Sequence, residues 1–119
     1  MVIPDSMPAL PDEQRSFWSN AYLNVRQQSV ALCAPLTRED YVIQTAPEAS
    51  PAKWHLAHVS WFFETFLLKA YLSGYAEFHP LFGYLFNSYY EQVGKFPPRQ
   101  ERGFLSRPSV DDIIRYRAY

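Results

Sequence analysis

Ser50-Pro51-Ala52-Lys53-Trp54-His55-Leu56-Ala57-His58-Val59-Ser60-Trp61-Phe62-Phe63-Glu64-Thr65-Phe66-Leu67-Leu68 is a near-continuous apolar run with two histidines, three residues apart, close to its start. Serine followed by proline suits a helix beginning, with Ser50 as the cap and Pro51 at the first helical position. The spacing predicts a helix over 51–73, stopped by Gly74, which enters the left-handed region without steric penalty. Trp54, Ala57, His58, Trp61, Thr65, Leu68 and Leu72 form one stripe, and His55, Val59, Phe62, Phe66 and Ala70 a second. With both stripes apolar, the helix is expected to be buried on most sides. His55 and His58 occupy neighbouring positions on its surface, about 60° apart at 3.6 residues per turn. Such histidines suit a metal pocket inside a helix bundle, and equally a core position where a ring nitrogen meets a carbonyl.

Upstream, Pro11-Asp12-Glu13 begins a first helix, because acids and a proline suit the free N–H groups of a helix start. Trp18, Ala21, Tyr22, Val25, Ser29 and Leu32 continue it at helical spacing, and Pro35 ends it. Residues 1–10, with Pro4 and Pro8, read as an irregular arm. Thr37 to Asp40 reads as a capped turn and Ala46 to Ala49 as a loop. Downstream, residues 75–108 are mostly irregular, with a short helical piece expected over 81–92 before Gly94. A last helix begins at Ser109 with Asp111 and Asp112 in its first turn, and Ile113, Ile114 and Tyr116 set its face.

The 119 residues amount to one domain at most, able to bury roughly two thirds of the unfolded surface. At 48% hydrophobic and 18% aromatic, the chain is too apolar for extended disorder. A net charge of −1 gives no electrostatic case for nucleic acid or an anionic membrane surface. The single cysteine, Cys33, excludes an internal disulfide and a cysteine zinc motif. The N-terminus lacks the basic start and apolar run of a secretory signal, and no run is long and apolar enough for a membrane span. These features lead us to expect a cytoplasmic protein.

Ser50 to His58, followed by Trp61-Phe62-Phe63-Glu64-Thr65, resembles the N-terminal DinB-like domain of the sulfoxide synthases of ergothioneine biosynthesis. A second block, Phe86-Asn87-Ser88-Tyr89-Tyr90-Glu91-Gln92-Val93-Gly94 and then Arg102-Gly103-Phe104-Leu105-Ser106-Arg107-Pro108, is similar to the loop that follows in those enzymes. The resemblance extends from about Phe17 to Tyr119. It implies an all-α, DinB-like four-helix-bundle type of fold, here incomplete, over residues 11–119. It also implies an iron(II) enzyme that uses dioxygen to join cysteine or γ-glutamylcysteine to hercynine as a sulfoxide. In that family three histidines of the bundle hold the iron, and a second domain like the formylglycine-generating enzymes completes the catalyst.

Carried onto this chain, the resemblance makes His58 one iron ligand. The other two are expected from a later His-x-x-x-His helix, since this sequence holds only His55, His58 and His79 and no such pair. Arg99 and Arg102 are the implied contacts to the carboxylates of the thiol substrate, arginine being suited to two-point grip of a carboxylate. His55 receives no ligand role and is expected to support His58 or to pack. Glu64, a carboxylate in an aromatic run, is expected to pair with Lys53, Lys69 or a loop arginine. Asn87, Tyr89 and Tyr90 are expected to pack, and His79 to be an exposed loop residue. Two other expectations compete: a non-catalytic DinB-like interaction module or truncated remnant, and a DinB-like metal-dependent thiol transferase.

Overall fold

The computed structural model describes residues 11–119, so the expected N-terminal arm lies outside the described residues. The chain divides into two units, Met1–Pro35 and Leu36–Tyr119. The first contains α1 (Asp12–Leu32), which starts at an extended Pro11 and carries Asp12 and Glu13 in its first turn, as the sequence leads one to expect. It stops before Pro35 because the amides of Cys33 and Ala34 turn back onto the carbonyls of Val30 and Ala31. Phe17 and Trp18 meet edge to face at 5.1 Å, and the Arg26 guanidinium lies 5.1 Å over the Tyr22 ring. No residue of α1 is buried.

The second unit opens on the expected turn, where the Thr37 amide donates to Asp40 Oδ2 at 2.9 Å and a 3-10 turn, Asp40–Val42, follows. Its spine is α2 (Ala52–Phe63). The cap is Pro51 rather than Ser50. Pro51 sits in an extended conformation outside the helix, and its carbonyl receives the first helical bond, from the His55 amide. The Ser50 hydroxyl is engaged elsewhere, accepting from Arg102 Nη1 at 2.8 Å.

After Phe63 the helix widens into a π turn, Glu64–Leu68, and closes in α3 (Lys69–Tyr71). The helix ends at Tyr71, two residues before the expected end, where Leu72 leaves helical geometry, and Gly74 follows at φ +76°. The helix is also less enclosed than its two apolar stripes suggest. Lys53, Trp54, Leu56, Ala57, Ser60, Trp61 and Glu64 are buried, but His55, Val59, Phe62 and Leu67 are exposed.

The helical piece expected over 81–92 ends early: α4 is Phe82–Leu85. The reason is Asn87. Its side-chain amide donates to the carbonyls of Tyr90 and Gly94, and its carbonyl accepts the Tyr90 amide, so loop geometry replaces the helical bonds. A 3-10 helix, Arg99–Phe104, is clamped by Gln44, which accepts from the Gly103 amide and donates to the Arg99 carbonyl, each at 2.8 Å. Only glycine fits there, since a Cβ on residue 103 would stand 2.5 Å from Gln44 Cβ.

The last helix, α5 (Val110–Ala118), begins at Ser109 with a capping box, its hydroxyl accepting the Asp112 amide while Asp112 accepts the Ser109 amide. α5 packs along α2, and Ile113 and Tyr116 join Trp54, Leu56, Ala57, Trp61, Phe82 and Phe86 in one core. Each large side chain buried there contributes about 1.5–3 kcal/mol. The described residues form an all-α chain without a strand; an isolated bridge, Ala46 to Ala49, is the single β feature among them. No helix among the described residues is long and apolar enough to cross a membrane.

Candidate functional site

His58 stands between the two buried tryptophans of α2. Trp54 precedes it by four residues and Trp61 follows by three, so helical geometry stacks all three rings on one face. The imidazole lies 4.6 Å from Trp54 at 10° between planes, and 5.4 Å from Trp61 at 17°. The column continues outward, because the Arg102 guanidinium lies 3.6 Å over the other side of Trp54. Trp61 meets Tyr90 at 5.7 Å and Phe66 at 5.8 Å, closing the inner end.

The imidazole has a defined orientation. His58 Nδ1 is 2.7 Å from the Phe86 carbonyl oxygen. A carbonyl can only accept, so Nδ1 carries the proton and Nε2 presents a bare lone pair. Burial lowers the pKa of His58; the Phe86 bond opposes that shift and the nearby Arg102 adds to it. The ring is therefore held neutral at neutral pH with Nε2 unprotonated, one of the two tautomers through which histidine ligates metals, and the carbonyl fixes its rotation.

His55, three residues earlier, does not converge with it. It is exposed, its ring edge-on to Trp54 at 5.3 Å, with its pKa lowered by burial, then by Arg102 and His58. His79 is exposed as expected, accepting the Leu81 amide at Nδ1.

Arg99 and Arg102 occupy different environments. Arg99 is exposed, 4.9 Å over the Tyr89 ring. Arg102 is buried, and burial, followed by repulsion from Arg99, pushes its pKa down to about 10. Its Nη1 holds Ser50, while Nε and Nη2 have no hydrogen-bond partner.

Glu64 forms a separate centre at the start of the π turn, and the expected ion pair is not there. Its carboxylate is 2% exposed and accepts from Tyr75 Oη at 2.5 Å, the Phe78 amide at 3.2 Å and Tyr116 Oη at 2.8 Å. Lys69 pairs with Glu77 instead, and Lys53 donates to the Leu105 carbonyl. Three donors satisfy the buried charge without a cation. Burial and then the carboxylate raise the pKa of both phenols above the ordinary tyrosine range.

Asn87 is fully buried and shapes the loop that aims the Phe86 carbonyl at His58; Tyr90 lines the slot, and Tyr89 is largely exposed. The residues that sequence reasoning did not assign to the site are Phe86, which contributes only its backbone, and Ser50. The tryptophan spacing around His58 was a usable signal for the slot. Among the described residues no three His, Cys, Asp or Glu side chains come together to hold a metal ion. His58 is one well-prepared donor, and one donor does not fit an iron centre by itself. No family model and no curated protein matches the chain.

Proposed function

We propose that this chain is the N-terminal segment of an iron(II)- and dioxygen-dependent sulfoxide synthase that joins cysteine or γ-glutamylcysteine to hercynine. The observation that supports this is His58: a neutral imidazole, locked by a backbone carbonyl at Nδ1, with Nε2 free. That arrangement is the usual state of a metal-ligating histidine. The remaining donors and the second domain would belong to polypeptide beyond the described residues.

Within this proposal the chain's own residues bind and orient. Trp54 and Trp61 keep the imidazole from rotating and exclude water from its faces. The Phe86 carbonyl holds the proton on Nδ1. Arg99, exposed, receives a carboxylate of the thiol substrate, while Arg102, buried against Trp54 and bonded to Ser50, steadies the segment that carries Arg99. Glu64, bound by two tyrosines and an amide, anchors α2 to α5 away from the chemistry.

A second proposal, a non-catalytic interaction module, draws support from the exposed Val59, Phe62 and Leu67 on the outer face of the α2 region. Kinetics separate the two. In a polypeptide extending past Tyr119 through a His-x-x-x-His helix and the second domain, His58→Ala is expected to abolish sulfoxide formation. Arg99→Ala is expected to raise KM for the thiol with a smaller effect on kcat, by loss of about 1.5–3 kcal/mol for a charged hydrogen bond. Normal turnover by His58→Ala refutes the enzyme proposal, as does an in-frame stop directly after the Tyr119 codon.

A further inference from the structure

The buried carboxylate of Glu64 has phenols around it and no cation. The ion pairs among the described residues are Arg38–Asp111, Lys69–Glu77 and Arg115–Asp112, and none involves Glu64. Its Oε2 accepts from the Tyr75 hydroxyl at 2.5 Å and its Oε1 from the Tyr116 hydroxyl at 2.8 Å. A base therefore stands in direct contact with two oxidisable rings, in surroundings where its charge is poorly screened. Burial, then the bond to Glu64 and its charge, with Glu77 adding, hold the Tyr75 phenol above the ordinary tyrosine range. A negative potential that opposes forming a phenolate favours removing an electron from the same ring.

The two phenols differ in access. Tyr116 is 4% exposed and walled by Phe78 and Phe82. Tyr75 is half-buried, and its ring lies 5.8 Å from that of Tyr119, which is exposed. The Tyr119 hydroxyl donates to the Ala76 carbonyl at 2.6 Å, a group that holds the proton in place but does not take it up. An electron can thus leave through the Tyr75–Tyr119 edge, while only Tyr75 of these two has a base to receive its proton.

We propose that Tyr75 and Glu64 form a one-electron donor site: a small, high-potential one-electron oxidant at the Tyr75–Tyr119 surface takes the electron, and Glu64 Oε2 takes the phenolic proton. The Tyr75 O–H bond breaks, an O–H bond forms on Glu64, and the oxidant is reduced by one electron. The centre passes from a phenol with a carboxylate to a neutral phenoxyl radical with a carboxylic acid. It loses its one negative charge, so the cost of burying a charge becomes a driving force for the oxidation. The site requires neither iron nor a thiol and stands apart from the sulfoxide synthase proposal.

The test uses the whole chain, with photogenerated tris(bipyridine)ruthenium(III) as the oxidant and freeze-quench electron paramagnetic resonance as the readout. A persistent neutral tyrosyl radical is expected. Incorporating 3-fluorotyrosine in place of Tyr75, which keeps the hydroxyl, is expected to add fluorine splitting to that signal; the same label in place of the exposed Tyr89 is not. Tyr75→Phe is expected to lower the yield of the persistent radical at least fivefold, and Tyr89→Phe to leave it unchanged. Glu64→Gln, which keeps an acceptor oxygen but no base, is expected to slow radical formation at least tenfold wherever it folds. No fluorine splitting from the label at position 75, an undiminished yield in Tyr75→Phe, a tryptophan radical in place of the tyrosyl one, or an unchanged rate in folded Glu64→Gln each overturns the proposal.

Discussion

Replacing Tyr116 by phenylalanine removes one hydroxyl from the centre of the second unit and leaves its ring in place. The ring keeps its packing against Phe78 at 5.2 Å and Phe82 at 4.9 Å, so no cavity opens. The loss falls on Glu64, whose Oε1 accepts from the Tyr116 hydroxyl, whereas Oε2 accepts from both Tyr75 and the Phe78 amide. At 2% exposure, Glu64 gains little from water as a substitute. A hydrogen bond to a charged group is worth about 1.5–3 kcal/mol, and the buried oxygen is left unsatisfied, so Tyr116→Phe is expected to lose about 2–3 kcal/mol. Tyr75→Phe should lose less, about 0.5–1.5 kcal/mol. Tyr75 is only half-buried, and the Phe78 amide stays on the same oxygen. Urea unfolding followed by tryptophan fluorescence, in a Trp18→Phe background so that Trp54 and Trp61 report the second unit, measures both. With a urea slope of about 1–3 kcal/mol per molar, the Tyr116→Phe midpoint should fall by roughly 1 M or more. A loss below about 0.5 kcal/mol, or a larger loss for Tyr75→Phe, would refute the assignment of Glu64 to a satisfied buried centre.

Gly103→Ala drives a methyl group to within 2.5 Å of Gln44 Cβ and should destabilise the second unit by about 1–3 kcal/mol, while Gly83→Ala, with nothing near the added carbon, should change little in the same urea experiment. His58 should titrate below the ordinary histidine value of 6.5 by NMR, with nitrogen-15 shifts placing its proton on Nδ1; a pKa above 6.5 or an Nε2–H tautomer contradicts the site geometry. Because the folded-state values of His55 and His58 are depressed, the unfolded chain binds more protons just below pH 6.5, so stability should fall as pH drops through that range and level off once the folded histidines are protonated.

The helical class was legible from local signals: proline and acids at the start of α1, the capping pair of Ser109 and Asp112, the apolar periodicity of α2. His58 was singled out in the sequence by its pairing with His55 on an apolar helix and by the family resemblance, while the tryptophans at −4 and +3 that enclose it went unused as a signal. The partners were not. Glu64 meets Tyr116 across 52 residues and His58 meets a carbonyl 28 residues on, and pairings at that range leave no periodicity to read. Nearby lysines made an ion pair the natural expectation for Glu64, yet two phenols and an amide satisfy it without the desolvation of a second charge. The overlong helix at 81–92 failed because one side chain, Asn87, captures backbone groups that the helix would have used. The π turn at Glu64 likewise leaves no mark in a pattern of apolar residues that fits ordinary helical spacing.

Anaerobic iron(II) titration of a polypeptide extended past Tyr119 through the His-x-x-x-His helix tests whether His58 is a metal ligand. Such a polypeptide should bind one iron per chain, His55→Ala should keep that stoichiometry, and His58→Ala should lose tight binding. Undiminished one-to-one binding by His58→Ala would contradict the proposal that this imidazole, held between Trp54 and Trp61, exists to present Nε2 to a metal.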